Sequence, residues 1–356
     1  MKSILHYLSD QFVFWNLKNI KQGYLVLKDS KANEHFFGDN KSLLKASLKI
    51  NEPSFCFKLL KQGSSALGDS YIKGDQRTIV VTDRVSCFDV VVGTIPLKGQ
   101  VLNQVAAFWF DKTSSVANNH LLSVPDPSVS IVRECQTLPV EFVVRGYLTG
   151  STSTSIWTAY SDGRRDYCGH RLPEGMKRPE ALPEALLTPT TKAPMGEHDE
   201  LTSRDEILSQ GVLSEDVFDR AEALVMELFR VGTDWATKQG LILVDTKYEL
   251  GLDQTGNLIV IDEIHTPDSS RYWYRDAYEA AMSEGTDPKS LDKEYVRRWL
   301  GDQGYKGVGS PPALTDEVRC EAARRYIAAF EQVTGTVFDP DTSEPHTRIS
   351  RSLGLS

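Results

Sequence analysis

The sequence predicts an α+β fold, a twisted, mainly antiparallel sheet region and a helix-bearing second lobe, with a site in the cleft between them. Three observations carry that expectation. Two apolar, β-branched stretches, Leu241 to Gly251 and Leu258 to Ile261, are joined by the turn residues Asp253, Gly256 and Asn257, which is a hairpin signal. From Ser214 to Gln239 apolar residues recur at helical spacing; Ser214 is a good N-cap, Glu215 and Asp216 occupy the first turn, and Gly240 closes the end. Asp316 to Val333 repeats the helical pattern behind a second cap, Thr315.

At 356 residues the chain can form one large domain or two smaller ones. A net charge of −9 argues against a nucleic-acid partner, yet it leaves small anionic substrates open, because local Arg and Lys clusters decide those. The five cysteines, Cys56, Cys87, Cys135, Cys168 and Cys320, are scattered and form no C-x-x-C pair. That argues against a disulfide framework or a zinc site and fits a reducing, cytoplasmic setting. No apolar run reaches membrane-spanning length, and Met1 to Leu17, interrupted by His6, Asp10 and Asn16, does not read as a signal peptide. The expected partners are small molecules, with neither nucleic acid nor membrane.

In chain order, Gly23 to Lys28 reads as a short alternating strand and Asn33 to Gly38 as a second, with Ala46 to Ile50, Pro53 to Leu60 and Gly63 to Asp75 following. Phe12, Phe14 and Trp15 allow a lipid- or partner-binding reading of this segment. Thr78 to Val90 reads as a buried strand ending in polar groups, and Leu102 to Lys112 as a helix. Ile131 to Cys135 and Leu138 to Tyr147 read as strands, the second running into a small-residue loop at Gly150 and Ser151. Arg145 and Ser151 suit an anion, a bidentate fork and a hydroxyl beside glycine amides. Tyr160 to Arg204 reads as a long Pro-, Gly- and charge-rich loop, functional or solvated, in which Lys192, His198 and Asp199 could line a site. The Ser214–Gln239 helix carries a stripe of Val217, Ala221, Leu224, Leu228 and Trp235; Leu291 to Leu300 is a further helix, and the tail from Asp339 reads as poorly ordered.

Alternation along the central hairpin puts Asp245, Lys247 and Glu249 on one face. With the turn centred near Thr255–Gly256, Glu249 lies opposite Asp262. Facing carboxylates repel. A divalent cation removes that conflict, and a lysine beside them suits a phosphate; Mg²⁺ is usually held by one or two carboxylates plus substrate phosphates. Any one of these charges alone reads as a solvated face, but four in register favour a site.

Two resemblances add to this reading. The motif order across Gly23 to Asp75 resembles the N-terminal segment of cyclopropane-fatty-acid synthases, which divides the chain into residues 1–75 and 76–356. No glycine-rich turn of the S-adenosylmethionine type follows, so this resemblance implies no methyl transfer. The stretches Pro139-Val-Glu141-Phe-Val-Val-Arg145-Gly-Tyr-Leu-Thr-Gly150-Ser151 and Val244-Asp245-Thr-Lys247-Tyr-Glu249-Leu250-Gly251 resemble the signatures of the SAICAR synthetases, the phosphoribosylaminoimidazole-succinocarboxamide synthases. Thr82 to Ser86, Pro189 to Lys192, Gly196 to Glu200 and Thr266 to Arg271 match as well, in order, over about Thr78 to Thr334.

That resemblance implies a two-lobed fold with an ATP cleft. It also implies a ligase that joins L-aspartate to a carboxylated aminoimidazole ribotide through an acyl phosphate, using ATP and Mg²⁺. It implies roles too. Glu249 and Asp262 would hold the metal, and Lys247 the nucleotide phosphates. The strand and turn at Arg133–Leu138, with Arg133 and Glu134, would receive the adenine. Arg145, Ser151, Asp268, Ser270 and Arg271 would hold the ribotide, with Asp83, Ser86, His198 and Asp199 on the substrate side. Lys247, Asp245 and Lys192 would form the catalytic set. One place departs from the pattern. Where the family has a G-K-x-[KR]-[DE] turn over the ATP phosphates, this chain reads Ser65-Ala-Leu-Gly-Asp69, with Ala66 and Gly68 at the basic positions. The second reading is therefore a ligase-derived ribotide-binding protein with impaired catalysis.

Overall fold

Short alternating strands open the chain, as expected: β1 (Tyr24–Lys28) pairs antiparallel with β2 (Glu34–Gly38) and parallel with β3 (Lys45–Lys49). This sheet belongs to a unit of residues 1–70, and residues 71–356 form a second unit. The structure is a computed structural model that describes residues 24–28, 34–38, 45–49, 70–73, 75–88, 90–152, 154–192, 200–291, 294–305 and 307–354. Phe12, Phe14, Trp15, the Ser65–Asp69 stretch, His198 and Asp199 lie outside them.

The second unit is built on two sheets. One has the order β4-β5-β9-β8, from β4 (Ser70–Lys73), β5 (Gln76–Val80), β8 (Leu121–Asp126) and β9 (Val129–Arg133). Between β5 and β8 the chain makes a separate hairpin of β6 (Arg84–Cys87) and β7 (Val90–Thr94). Helix α1 (Lys98–Lys112) follows. The stretch expected as one strand from Thr78 is thus broken at Val81–Asp83. Asp83 is the reason: its carboxylate accepts from the Leu97 and Gly99 amides (3.2 and 2.9 Å) and holds the start of α1. That contact, from a residue distant in sequence, adds a turn before the expected start at Leu102, and no local pattern reveals it. Gly99 lets the helix approach, since a Cβ there would sit 2.3 Å from the Val81 carbonyl oxygen.

The other sheet has the order β13-β10-β15-β16. Its strands are β10 (Gln136–Tyr147), β13 (Ala181–Leu187), β14 (Thr190–Thr191), β15 (Leu241–Leu252), β16 (Leu258–Ile261) and β17 (Ser270–Tyr274); β14 joins on β10 and β17 on β15. The segment expected as a loop from Tyr160 to Arg204 is largely ordered. It holds the end of α2 (Ile156–Ser161), a hairpin of β11 (Asp166–Tyr167) and β12 (His170–Arg171), and strands β13 and β14. Pro183 lies in β13, the edge strand of the β13-β10-β15-β16 order, where a missing N–H is tolerated.

Helices α3 (Arg204–Ser209) and α4 (Glu215–Lys238) lead into β15. The Ser214 side chain caps α4 by accepting from Val217 N, as expected. Its buried face is Phe218, Ala221, Val225, Leu228 and Phe229, turned about one residue from the expected stripe; Val217, Leu224 and Trp235 are only partly buried. Each of the large ones contributes about 1.5–3 kcal/mol of burial. After β17 come α5 (Tyr278–Glu284), α6 (Glu294–Asp302), α7 (Asp316–Thr334) and α8 (Pro345–Ser352). Trp235 Nε1 donates to the Val333 carbonyl (2.7 Å) and ties α4 to α7.

The tail is not disordered in its described part. Helix α8 docks through Arg348, whose guanidinium meets the buried Asp126 carboxylate at 2.8 Å. Removing one partner of a buried pair leaves the other charge uncompensated. Asp126→Ala should therefore cost about 3–5 kcal/mol of stability, read from the denaturant midpoint. A loss below about 1 kcal/mol, the value of an exposed pair, would show that the tail does not dock there.

Candidate active site

The site is set by β15, which has β10 on one side and β16 and β17 on the other. Against β17, Leu243 pairs with Tyr272 but Asp245 with Arg271, so β15 carries one extra residue there. This bulge reverses the alternation of the strand. Leu241 and Leu243 before it, and Tyr248 and Leu250 after it, all join the main core, while Ile242 and Val244 join a smaller cluster with Trp273. Asp245, Lys247 and Glu249 share one face, as the alternation predicted, and the bulge, which it did not predict, turns that face away from the main core.

The register differs from the expected one by a single residue: Glu249 lies opposite Ile261. The connecting loop closes with Gly256 N donating to Asp253 O (2.9 Å) and Asp253 N to Asn257 O (3.0 Å), so it centres on Thr255. Asp262 follows the strand in a left-handed conformation, φ 64°. Its carboxylate stays within electrostatic reach of Glu249 and Lys247.

A cleft opens between the two sheets. Arg77, Ile79, Val132 and Arg133 line it from β5 and β9, with Glu134 and Cys135 just beyond β9; Thr137, Lys192, Glu249, Ile261 and Asp262 line the facing side. Lys247 Nζ donates to Glu249 Oε1 (2.7 Å) and Glu141 Oε1 (3.0 Å), and Lys192 pairs with the other Glu249 oxygen. Burial disfavours the Lys247 ammonium, but Glu249, Asp262 and Glu141 outweigh it and hold its pKa above the ordinary value. Burial likewise acts against the Glu249 carboxylate, and the two lysines override it, so its pKa falls. Asp262 is open to the cleft yet closely surrounded by protein. Desolvation and the Glu249 charge push it up to about 6. Desolvation, then Asp262 and Asp268, raise Glu263 to about 7; it accepts from Thr266 Oγ1 (2.5 Å). His120, also in the cleft wall, is held down at about 4 by burial.

A second group lies along the same strand. Asp245 receives Arg145 (3.5 Å) and Arg271 (3.3 Å), and Arg145 Nε donates to Thr188 Oγ1 (2.9 Å). Ser151 is exposed beside Gly150, whose φ of 107° and lack of a Cβ let it pass Ser155. Three of the expected ligands are otherwise engaged. Ser270 is buried, its hydroxyl against Thr246 Oγ1 (2.7 Å). Asp268 is bound by Lys98 and Tyr326. Asp83 holds α1, and Ser86 is exposed on the β6–β7 hairpin. Glu141, Arg77 and His120 enter the site without having been expected there, while Cys135 lies in the stretch expected to receive the adenine. Glu141 sits inside the Pro139–Ser151 signature and was legible; Arg77 carries no local signal, and only its bidentate pairing with Glu134 (both 2.7 Å) puts it there.

Two sheets enclosing a cleft, with lysines clustered over carboxylates on one wall, make a charged site of the kind that enzymes use for anionic substrates. Comparison with known proteins makes this specific. The SAICAR synthetase family profile matches residues 69–312. The chain is 46% identical over 279 residues to the putative phosphoribosylaminoimidazole-succinocarboxamide synthase 2 of Agrobacterium fabrum, covering 78% of this chain and 88% of that one. It is 43% identical over 297 residues to the phosphoribosylaminoimidazole-succinocarboxamide synthase of Legionella pneumophila strain Paris, covering 82% and 94%. Among solved structures, the SAICAR synthase of Saccharomyces cerevisiae complexed with SAICAR superposes with a TM-score of 0.66 at 30% identity, covering 76% of this chain and 92% of that one. A SAICAR synthetase solved in complex with ADP shares the fold, with a TM-score of 0.56 at 23% identity. The chain belongs to the SAICAR synthetase family, the ATP-dependent ligases of purine biosynthesis. Among the described residues, no helix is long and apolar enough to cross a membrane.

The raised Asp262 pKa has a consequence for stability. Because its folded value, about 6, lies above its ordinary one, the folded state binds this proton more tightly. The stability this one group contributes is therefore lost as pH rises from roughly 4 to 6, by an amount that its opening to the cleft reduces. Without added metal, Asp262→Asn should melt higher than the wild type above pH ~6, with the gap closing below pH ~4. A variant that melts lower at pH 8 would show that the carboxylate is not under repulsion.

Proposed function

We propose that this chain joins L-aspartate to the carboxylated aminoimidazole ribotide in the cleft between its two sheets, by way of an acyl phosphate. The observation that carries the proposal is the cluster of Lys247 and Lys192 on Glu249, with Asp262 beside it. Among the described residues no three His, Cys, Asp or Glu side chains converge as a metal cage. Mg²⁺ does not need one, since it is held by one or two carboxylates plus phosphates. Glu249 and Asp262 fit that donor set; desolvation and then the Glu249 charge raise Asp262, and a cation would offset both. Bound there, Mg²⁺ would neutralise triphosphate charge.

The chain's own residues then have distinct tasks. Lys247 and Lys192 give up Glu249 for phosphate oxygens and stabilise charge on the transferring γ-phosphoryl group. That group passes to a ribotide carboxylate oxygen, and ADP leaves. The aspartate amine then attacks the acyl carbon, its proton is lost, and phosphate departs. The ATP base would lie against Ile79, Val132 and Ile261, near Arg133 and Glu134. Arg145 and Arg271, gathered on Asp245, would receive the ribotide phosphate as planar forks. Lys192 leads into the segment of His198 and Asp199 and would close the substrate side.

We also assign residues 1–75 to a separate N-terminal segment of the cyclopropane-fatty-acid-synthase kind. The separate unit of residues 1–70 with its own β2-β1-β3 sheet supports the separateness, and the kind rests on the motif order across Gly23 to Asp75 alone.

Purified full-length chain supplied with ribotide, aspartate, ATP and Mg²⁺ should form the succinocarboxamide, and omitting any one should stop it. Asp262→Asn should lower turnover by about 100-fold or more, since a neutral amide cannot offset cation charge. Arg271→Lys should raise the ribotide KM by about tenfold with little change for ATP, because an ammonium cannot reproduce a bidentate clamp. Wild-type protein that binds ribotide but forms no product would instead favour the impaired-catalysis reading. Normal turnover by Asp262→Asn would remove that residue from the site.

A further inference from the structure

The turn at Thr266–Ser269 carries Arg271 at its far end, and the turn's position is not set by its own hydrogen bonds alone. Thr266 Oγ1 accepts from the Asp268 and Ser269 amides (3.2 and 3.3 Å), and Ser270 N donates to Thr266 O (2.9 Å). These bonds fix the turn's shape but not its placement. On one side the turn is tied to β15, where Lys247 N donates to Ser269 O (3.0 Å) and Asp245 pairs with Arg271; on the other it is held by Asp268, whose two carboxylate oxygens are bound from two different helices. Lys98 Nζ of α1 meets Oδ2 at 2.7 Å, and the Tyr326 hydroxyl of α7 donates to Oδ1 at 2.6 Å. Both partners are almost fully enclosed, Lys98 at 4% and Tyr326 at 5% exposure. Lys98 Nζ also lies 5.4 Å from the Tyr326 ring centre, so the two close on each other as well. Pro267 lines the same small cavity as Tyr295, Val296, Ala322 and Tyr326, which seats the turn against α6 and α7.

We infer that Lys98 and Tyr326 are positioning residues for the ribotide end of the site: they clamp Asp268 and thereby hold Arg271 where it can meet the ribotide. Asp268 then acts through Arg271 rather than by touching substrate. The inference rests on the reading of Arg271 as a ribotide contact. It also gives α7 a task in the site, although Tyr326 lies beyond the matched family segment of residues 69–312. Buried charges of this kind are held by geometry, and a clamp missing one arm leaves a carboxylate oxygen unsatisfied.

The test is a double-mutant cycle read by ribotide affinity in the full-length protein, with ATP affinity and melting temperature as controls. Tyr326→Phe should weaken ribotide binding by about tenfold, the size of one hydrogen bond to a charged group, and leave ATP affinity within about twofold. In an Arg271→Ala background the same change should have less than about twofold effect, because the residue it positions is gone. Lys98→Met should reproduce the pattern from the other helix, and Lys98→Arg should restore most of the affinity; this arm holds if Tyr326→Phe fails to fold. A tenfold effect that persists in Arg271→Ala would mean that Asp268 or Tyr326 meets the ribotide directly and overturns the inference. So would unchanged binding by Tyr326→Phe in a wild type that binds ribotide. A wild type that binds no ribotide would instead overturn the reading of the site.

Discussion

A single extra residue in the central strand decides where the charges of this protein point. Side chains alternate strictly along a strand, so an unbroken β15 that buries Leu241 and Leu243 would also send Asp245, Lys247 and Glu249 inward. The bulge at Val244–Asp245 reverses the phase. Thr246, Tyr248 and Leu250 turn to the core, and three charged groups turn away from it. Neighbouring strands follow from the same event. Arg145 faces Asp245 across β10, Glu141 faces Glu249, and Arg271 faces Asp245 across β17. The cost of the bulge is one interrupted ladder step, and tertiary packing on both faces offsets it.

The electrostatics follow from that placement. Partly enclosed charges must be paired, and each here has partners before any ligand arrives. Lys247 and Lys192 neutralise Glu249, and Asp245 gathers two arginines. Asp262 is the exception, pushed up by desolvation and by Glu249. A ligand bearing both cationic and polyanionic groups suits this arrangement. The metal would take the carboxylates and the phosphates the lysines, so every charge would exchange one partner for another without a bare intermediate. The site is preorganised in this sense, its groups already facing where charge will develop.

Much of this was legible in the sequence, because its signals are local. The caps Ser214 and Thr315, the strand alternation and the signature stretches placed α4, α7, β10 and β15 correctly. What escaped depends on distance. The first turn of α1 exists because Asp83 reaches its amides, and Ala181–Leu187 and Thr190–Thr191 are strand rather than loop because β10 offers an edge. Helix α8 is held by Asp126, far away in sequence. Asp262 and Ser270 show the same limit within the site. A half-residue difference in turn centre shifted the partner of Glu249 by one, and the hydroxyl expected on ribotide is buried against Thr246. Pattern gives the residues of a site; only packing says which atoms remain open.

The central claim is that the carboxylates and lysines of β15 and its neighbours receive a metal-bound triphosphate. Calorimetry of ATP binding to the unmodified protein, in the presence of Mg²⁺ and again in its absence with a chelator, tests this most directly. Metal-dependent binding is the expected result, with affinity falling by at least about tenfold when Mg²⁺ is withdrawn, since one charge-assisted contact alone is worth that much. Equal affinity in both conditions would contradict the account, because Glu249 and Asp262 would then face the nucleotide with no cation between them.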